Sequence, residues 1–561
     1  MKSNLVNKIK IVAHVVANAP HSIKIIFANF ISSFLSVIGI PLLILVFQFS
    51  KQENKNEIPY YEKIEYFFTF INIELNLTSL ITLTLFIILI GQTCLGICEM
   101  LNRYVNINIS RDNTKNLIKF FKEANWYKIL EDRSGQFQHA TINENLQAAQ
   151  VTLDSLRLVS SFIQCFFFIS TSLFFSPKIT LVLLIFFSFL GLITIIISNK
   201  ISFLSNLFNV NRIKTAESVA NINNNKKYLK SSVFPNFFEK IFENINLTWN
   251  INWKIHLLSF FLNYTIFILV AIFLTILLLY YDKINTSFEE VSIAILIFLR
   301  TTPVFLKISE SYGSLFEKIP VYENFSKRIN EFKNAKEKNG NLTYIRNSII
   351  KFTNVYFKYL NTNKYIIKNL NFEIKNNKTY VIIGPSGSGK STIIDLIMGL
   401  VRPTKGNIIY GAIKHSKMNF LTFRKKVSYI SQNISLFDSS ILENLTMGEF
   451  RDNEKIIQAC KVCAIYDFIS SLPKKFHTNI GENALKISGG QKQRILLARA
   501  LLSDSEIIIL DEATNQLDNK SLEIIKKTIR KIQRNKTILI ITHQKELKVL
   551  ADKTILLKKI I

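Results

Sequence analysis

Five long stretches in the first half of the chain carry no charged side chain: Ile25 to Phe49, Leu75 to Cys98, Leu158 to Pro177, Ile179 to Asn199 and Leu257 to Tyr281. Each is long enough to cross the ~30 Å hydrocarbon layer of a bilayer as a helix. One such stretch is compatible with a buried helix of a soluble core, but five in one half are not. A sixth segment, Val291 to about Leu306, is apolar but interrupted by Arg300 and Pro303, and it is read as a further span. The expected fold is a membrane α-helical domain of six transmembrane helices followed by an α/β P-loop NTPase domain. The expected divisions are residues 1–325, a linker at 326–346, and 347–561.

Charge distribution gives the orientation. The segment before the first stretch carries Lys2, Lys8, Lys10 and Lys24 and no acid, which keeps it cytoplasmic by the positive-inside bias. The loops Lys51 to Glu74 and Asp282 to Glu290 are net acidic and read as external, with a tight external turn at Pro177 and Lys178. Six crossings return the chain to the cytoplasm. The formal charge of +29 then belongs mainly to surfaces facing anionic headgroups, and nucleic acid is not an expected partner. Two polar stretches, about Glu99 to Arg157 and Lys200 to Lys254, keep helical spacing of apolar residues and are expected to extend the membrane helices into the cytoplasm. The five cysteines lie among apolar residues and suggest packing rather than a disulfide or zinc framework.

After about Ile349 short β-branched runs alternate with helical segments, as in a parallel sheet packed between helices. One run, Val381-Ile382-Ile383, leads directly into Gly384-Pro385-Ser386-Gly387-Ser388-Gly389-Lys390-Ser391-Thr392. This is a P-loop. Its glycines let backbone N–H groups converge on phosphates, Lys390 reaches the β- and γ-phosphates, and the Ser391 hydroxyl ligates Mg²⁺, so ATP and Mg²⁺ are the expected cofactors. A second run, Ile507 to Leu510, ends in Asp511-Glu512. Asp511 is expected in the Mg²⁺ shell, and Glu512 is expected to orient or deprotonate the attacking water. A third run, Thr537 to Ile541, leads to Thr542-His543, where His543 is a candidate γ-phosphate sensor. In Ile487-Ser488-Gly489-Gly490-Gln491 the serine and glycines open a helix whose first N–H groups are free to receive an anion.

The last string resembles the signature of ATP-binding cassette (ABC) proteins, with Ile487 where leucine is usual. The resemblance implies that the signature receives the γ-phosphate held by the P-loop of a second cassette, so two chains would enclose two ATP molecules. It also implies that Tyr359 stacks on adenine, that Gln432 ligates Mg²⁺ and senses the membrane domain, and that Asp518 is the D-loop aspartate. Asn515-Gln516 stand before Leu517-Asp518 in place of the usual Ser-Ala, and Gln544 follows His543 in place of arginine. Thr478 to Glu482, and Ser134 to Phe137 with Asn143, resemble the segments that couple cassette to membrane helices in exporters.

These resemblances cover nearly the whole chain and imply an exporter-type half-transporter, an ATP hydrolase coupled to transport. The expected working unit is a dimer with a second copy or a paralogous half-transporter. The expected location is a bacterial inner membrane, with the N-terminus and cassette in the cytoplasm. The partners are the lipid bilayer and a hydrophobic or lipid-linked substrate. Arg300 either faces the interior pathway and meets an anion or snorkels to an interface. The string Phe298-Leu299-Arg300-Thr301-Thr302-Pro303 is similar to the sixth helix of lipid-linked oligosaccharide flippases, which implies an anionic, lipid-linked saccharide. Peptide or drug export, and a non-transporting ABC channel or channel regulator, stay open as alternatives.

Overall fold

A computed structural model describes residues 2–50, 66, 68–69, 74–132, 134–175, 177–224, 230–231, 235–280, 288–360, 362–431, 436–481, 487–513 and 519–557. The chain divides into two units, one of Met1–Ala124 with Lys128–Lys336, the other of Asn125–Tyr127 with Glu337–Ile561.

The first unit is helical. Its long elements are α1 (Lys2–Asn18), α2 (Ser22–Ser50), α3 (Leu77–Glu123), α4 (Asn145–Phe175), α5 (Pro177–Asn224), α6 (Pro235–Tyr280) and α7 (Phe288–Asn334). Pro20 follows α1, His21 takes a left-handed φ of 58°, and the chain turns by 100° into α2. The expected turn at Pro177 and Lys178 is instead the first turn of α5, because proline has no N–H to lose at a helix start. Among the described residues four helical stretches are long and apolar enough to cross a membrane: Leu77–Glu123, Gln136–Phe174, Pro177–Val219 and Phe238–Leu279. The bent pair Ile9–Asn18 and Ser22–Leu35 raises the number to as many as five. The segment with Arg300 and Pro303 lies inside α7, which is not among them.

Helices α3, α5, α6 and α7 have 46 to 48 residues, or about 70 Å at 1.5 Å per residue, roughly twice the hydrocarbon thickness. The polar end of α7 is tied to other segments through ion pairs: Lys318 Nζ to Asp154 Oδ2 on α4 at 3.1 Å, Arg328 Nη1 to Asp132 Oδ1 at 2.6 Å, and Glu331 Oε2 to Lys128 Nζ at 2.8 Å. Residues 326–334, expected in the linker, are the last turns of α7, and 337–346 belong to the second unit.

The second unit contains two sheets. Strands β1 (Ile350–Phe357), β2 (Ile367–Ile374), β4 (Lys405–Tyr410) and β5 (Ile413–Lys414) form an antiparallel sheet in the order β2-β1-β4-β5. Strands β3 (Thr379–Ile383), β6 (Val427–Ile430), β7 (Ile507–Asp511), β8 (Thr537–Ile541) and β9 (Lys553–Leu556) form a parallel sheet in the order β6-β7-β8-β3-β9. Strands β7 and β8 are buried throughout, which explains their unbroken apolar runs. Alternation assigns their side chains to two cores, with Val381, Ile508, Leu510 and Ile540 on one side and Ile382, Ile509, Leu539 and Ile541 on the other.

The second of these cores holds a histidine. His415 is 4% exposed, packs against Phe420 with ring centroids 4.6 Å apart, and lies with Nε2 3.3 Å from the Leu396 carbonyl oxygen. Burial pushes its imidazole down to about 4, so the folded state favours the neutral ring. Its stabilising contribution is present above the ordinary histidine range and is lost as pH falls from about 6.5 toward the depressed value. We expect roughly 3 kcal/mol of stability to disappear over this window. Thermal unfolding of full-length protein at stepped pH checks this: His415→Phe should flatten the acid limb, and an unchanged limb would remove His415 as its cause.

Candidate nucleotide-binding site

The register of three neighbouring strands builds the site. Ile382 on β3 is paired with Ile541 on β8, and Ile541 with Asp511 on β7, so the three carboxyl ends are level. Two residues beyond Ile382 the P-loop begins at Gly384, two beyond Ile541 stands His543, and one beyond Asp511 stands Glu512. Open parallel sheets bind ligands at this kind of edge.

The P-loop ends in helix α8 (Lys390–Ile397), for which Gly389 is the N-cap at a left-handed φ of 87°. A Cβ at Gly384 would meet Ser388 Oγ at 2.6 Å and the Leu557 carbonyl oxygen at 2.9 Å, so only glycine leaves room there. Lys390 Nζ curls back to donate to the carbonyls of Gly384 at 3.0 Å and Pro385 at 3.1 Å, and lies 3.9 Å from Glu512 Oε1. Burial lowers its ammonium from the ordinary lysine value, against the opposing pull of Glu512 and Asp511. Ser388 is 5% exposed, and its Oγ has no hydrogen-bond partner among the described residues. An orphaned hydroxyl, a buried lysine and a helix start together fit a phosphate. Pro385, Ser386 and Gly387 are exposed on the loop, as is Ser391 on the first turn of α8, whereas Thr392 is buried.

Asp511 is 6% exposed and accepts a hydrogen bond from the Tyr429 hydroxyl at 3.0 Å. Burial raises its carboxyl above the usual range, with Glu512 adding to the rise and the Tyr429 bond and Lys390 opposing it. A cation at this carboxylate would relieve that cost. Among the described residues no group of three or more His, Cys, Asp or Glu side chains could hold a metal by itself. Asp511 and the Ser391 hydroxyl fit Mg²⁺ only in company with phosphate oxygens, as is usual for this ion. Glu512 takes a left-handed φ of 51°, with its N–H donating to the Ile541 carbonyl at 2.9 Å. This backbone, unusual for a non-glycine residue, directs Oε1 to 2.9 Å from His543 Nε2.

Tyr359 flanks α8, with its hydroxyl 3.4 Å from Thr392 Oγ1 and its ring edge-on to Phe357 and Tyr127. Ser488 caps α11 (Gly489–Leu502), where α9 (Ile441–Thr446) and α10 (Asn453–Val462) precede it in the chain. Its Oγ accepts from the Gln491 N–H at 3.3 Å, while Gln491 Oε1 accepts from the Ser488 N–H at 2.8 Å. Gly489 is exposed and Gly490 buried. Among the described residues no hydrogen bond or ion pair joins Ser488, Gly489, Gly490 or Gln491 to the P-loop. Gln432 and Asp518 lie outside the described residues. Arg300 is on α7 in the first unit, where it lines a cavity of about 730 Å³.

Two site features were not anticipated. The Tyr429 bond depends on β6 lying beside β7, a neighbour relation that the order of the chain does not give. Asp395, on α8, is pushed up to about 6 by burial and by Asp511, and its chemistry shows only once α8 is packed.

Residues 367–515 match the family model described as ABC transporter. The second unit therefore contains an ABC transporter domain. The chain is 37% identical over 210 residues to an uncharacterized ABC transporter ATP-binding protein, y4gM, of Sinorhizobium fredii, covering 37% of this chain and 36% of that protein. It is 34% identical over 210 residues to the ATP-dependent lipid A-core flippase of Bordetella avium, covering 37% and 36% of the two chains. To the multidrug resistance-like ATP-binding protein MdlA of Buchnera aphidicola it is 40% identical over 191 residues, covering 34% and 33%. The aligned stretches thus span about a third of these relatives.

Reciprocal capping at Ser488 has a direct consequence. Ser488→Ala should cost about 1 kcal/mol of stability and Ser488→Gly only a few tenths, since glycine is a tolerable N-cap. Thermal unfolding of the two full-length variants measures the difference; equal losses would mean that the cap is not what the hydroxyl supplies.

Proposed function

We propose that the chain is one half of an ATP-driven exporter or flippase that works as a dimer in a membrane. The observation that carries this reading is the convergence of Lys390, Asp511, Glu512 and His543 at one sheet edge, in a chain whose other unit is built from long apolar helices. The similarity of the cassette to proteins named as a lipid A-core flippase and a multidrug resistance-like protein supports transport outward.

On this proposal the P-loop N–H groups and Lys390 hold the phosphates of ATP, and Tyr359 holds the adenine. Ser391, Gln432 and Asp511 hold Mg²⁺, which when bound neutralises charge on the β- and γ-phosphates. Lys390 exchanges its two carbonyl partners for phosphate oxygens. Glu512 takes up or orients the proton of the water that attacks the γ-phosphorus as the bond to the ADP oxygen breaks, and His543 fixes the Glu512 carboxylate. Ser488, Gly489, Gly490 and Gln491 face the nucleotide of a second cassette, with Asp518 beside them, so that closure of two cassettes completes both pockets. The exposure of Ser488 and Gly489 supports this assignment.

The proposal also includes six spans per chain, of which the described helices supply four or five candidates. It sets the N-terminus and cassette in the cytoplasm of a bacterium, with a second copy or a paralogous half-transporter as partner.

Glu512→Gln tests the catalytic assignment, because the amide keeps shape and hydrogen bonding but cannot accept a proton as a base. ATP binding should persist, and turnover by purified protein in lipid should fall at least about 100-fold. Hydrolysis at the wild-type rate would overturn the role given to Glu512.

A further inference from the structure

Between the short helix Ser134–His139 and α4 the chain winds more loosely. The N–H of Asn145 donates to the carbonyl of Ala140, five residues back, so Ala140–Glu144 form a single π-turn. His139 and Asn145 on either side keep helical backbones, with φ of −61° and −59°, and the helix runs through the turn without a break. The turn therefore holds one residue more than an α-helix would. It also allows an ion pair that an α-helix does not. In an α-helix residues five apart point about 140° from one another, whereas here His139 Nδ1 lies 3.2 Å from Glu144 Oε1.

Both ends of the turn are tied, and to different helices. Ahead of it, Gln136 Nε2 donates to Glu217 Oε1 on α5 at 2.6 Å. Behind it, Asn145 Nδ2 donates to the Ser110 carbonyl at 2.9 Å and to Thr114 Oγ1 at 2.7 Å, both on α3. Passing the extra residue toward Ser134 would turn the segment with Gln136 by about 100° and shift it by about 1.5 Å against Asn145.

A second observation shows that the π-turn does not satisfy its surroundings. Glu144 is 4% exposed and Asn145 2%, yet Glu144 Oε2, Asn145 Oδ1, His139 Nε2 and Asp132 Oδ2 have no hydrogen-bond partner among the described residues. Buried polar atoms left unbonded are a reservoir of strain. Glu144 also has a competing cation. Its Oε2 lies 3.9 Å from Arg328 Nε on α7, just beyond hydrogen-bond reach, and Arg328 is bonded to Asp132 instead.

We propose that Ala140–Glu144 is a register hinge: the π-turn relaxes to α-helix by passing one residue toward Ser134, Glu144 is handed from His139 to Arg328, and ATP turnover depends on that exchange. The hinge lets the segment held to α5 turn against the segment held to α3. Its use in turnover rests on the exporter reading, whereas the exchange of partners does not.

Deleting Ile142 tests the hinge, because its side chain is 54% exposed and its removal sets His139 and Glu144 four apart, where an ordinary α-helix brings them together. The variant keeps the ion pair and loses the spare residue. Hydrogen exchange, followed by mass spectrometry on the full-length chain in phosphatidylcholine nanodiscs, reads the hinge without reference to hydrolysis. Wild-type amides 140–145 should exchange at least about 10-fold faster than amides 150–160 of α4, and the deletion should bring them to the slower rate. The deletion should leave the melting temperature within a few degrees of wild type while ATP turnover falls at least about 10-fold. His139→Leu, which releases Glu144 without changing chain length, should speed exchange at 140–145 at least about threefold and leave 150–160 unchanged. This second variant decides the matter if the deletion prevents folding. Wild-type exchange as slow at 140–145 as at 150–160, or no change in His139→Leu, would overturn the hinge. A folded deletion variant that hydrolyses ATP at the wild-type rate would overturn its role in turnover. Absence of hydrolysis in the wild type would instead count against the exporter reading, with the exchange result standing by itself.

Discussion

The level register of β3, β8 and β7 is the constraint on which the nucleotide site depends. Parallel pairing sets Ile382, Ile541 and Asp511 side by side, so the segments that follow them emerge at one edge. A slip of one residue on any of these strands would turn its side chains to the opposite core and move its catalytic end out of line. Both faces of β7 and β8 are buried, so a slip would exchange side chains between two separately packed cores, and close packing of each opposes it.

The charges at that edge are held in a poised arrangement. Lys390 is bonded to two carbonyls of its own loop, its ammonium weakened by burial, while Asp511 is raised by the same cause. Both are groups that a low-dielectric site disfavours in charged form and that a bound polyanion with its cation would favour. Glu512 is held to His543 by a left-handed backbone that few non-glycine residues adopt, and strain of this kind is concentrated where function needs a side chain aimed. The first unit handles charge differently. Its polar helix ends pair their ions across α4 and α7, as Lys318 does with Asp154, whereas Arg300 and Lys307 line a cavity whose wall also carries Glu99, the ion-pair partner of Arg157.

Much of this was legible in the chain. Glycine spacing in the P-loop, the carboxylates after Leu510 and the serine before Gly489 are local signals, and each specifies a backbone shape or a chemistry within a few residues. The long uncharged stretches were equally plain, and the polar segments after Cys98 and Asn199 do continue as helix. Less legible were the ends of elements. The short link between two apolar stretches at Pro177 and Lys178 reads as a tight external turn, yet Pro177 begins α5, where its missing N–H is harmless. Residues 326–334 read as linker from their charge, but a helix whose ends are solvated or ion-paired needs no apolar run to persist.

The sequence by itself determined the composition of the two units, the phosphate-binding loop and the order of the chemical groups along the chain, because these follow from local spacing and from the cost of placing charge in an apolar layer. Only the tertiary structure decided that Tyr429 holds Asp511, that His543 reaches Glu512, and that Arg300 and Lys307 share a cavity with Asn102 and Ser161. These relations join residues 31 to 205 positions apart or depend on which strand lies beside which, and neither is encoded in local periodicity. They arise only when strand order and helix packing bring distant segments together.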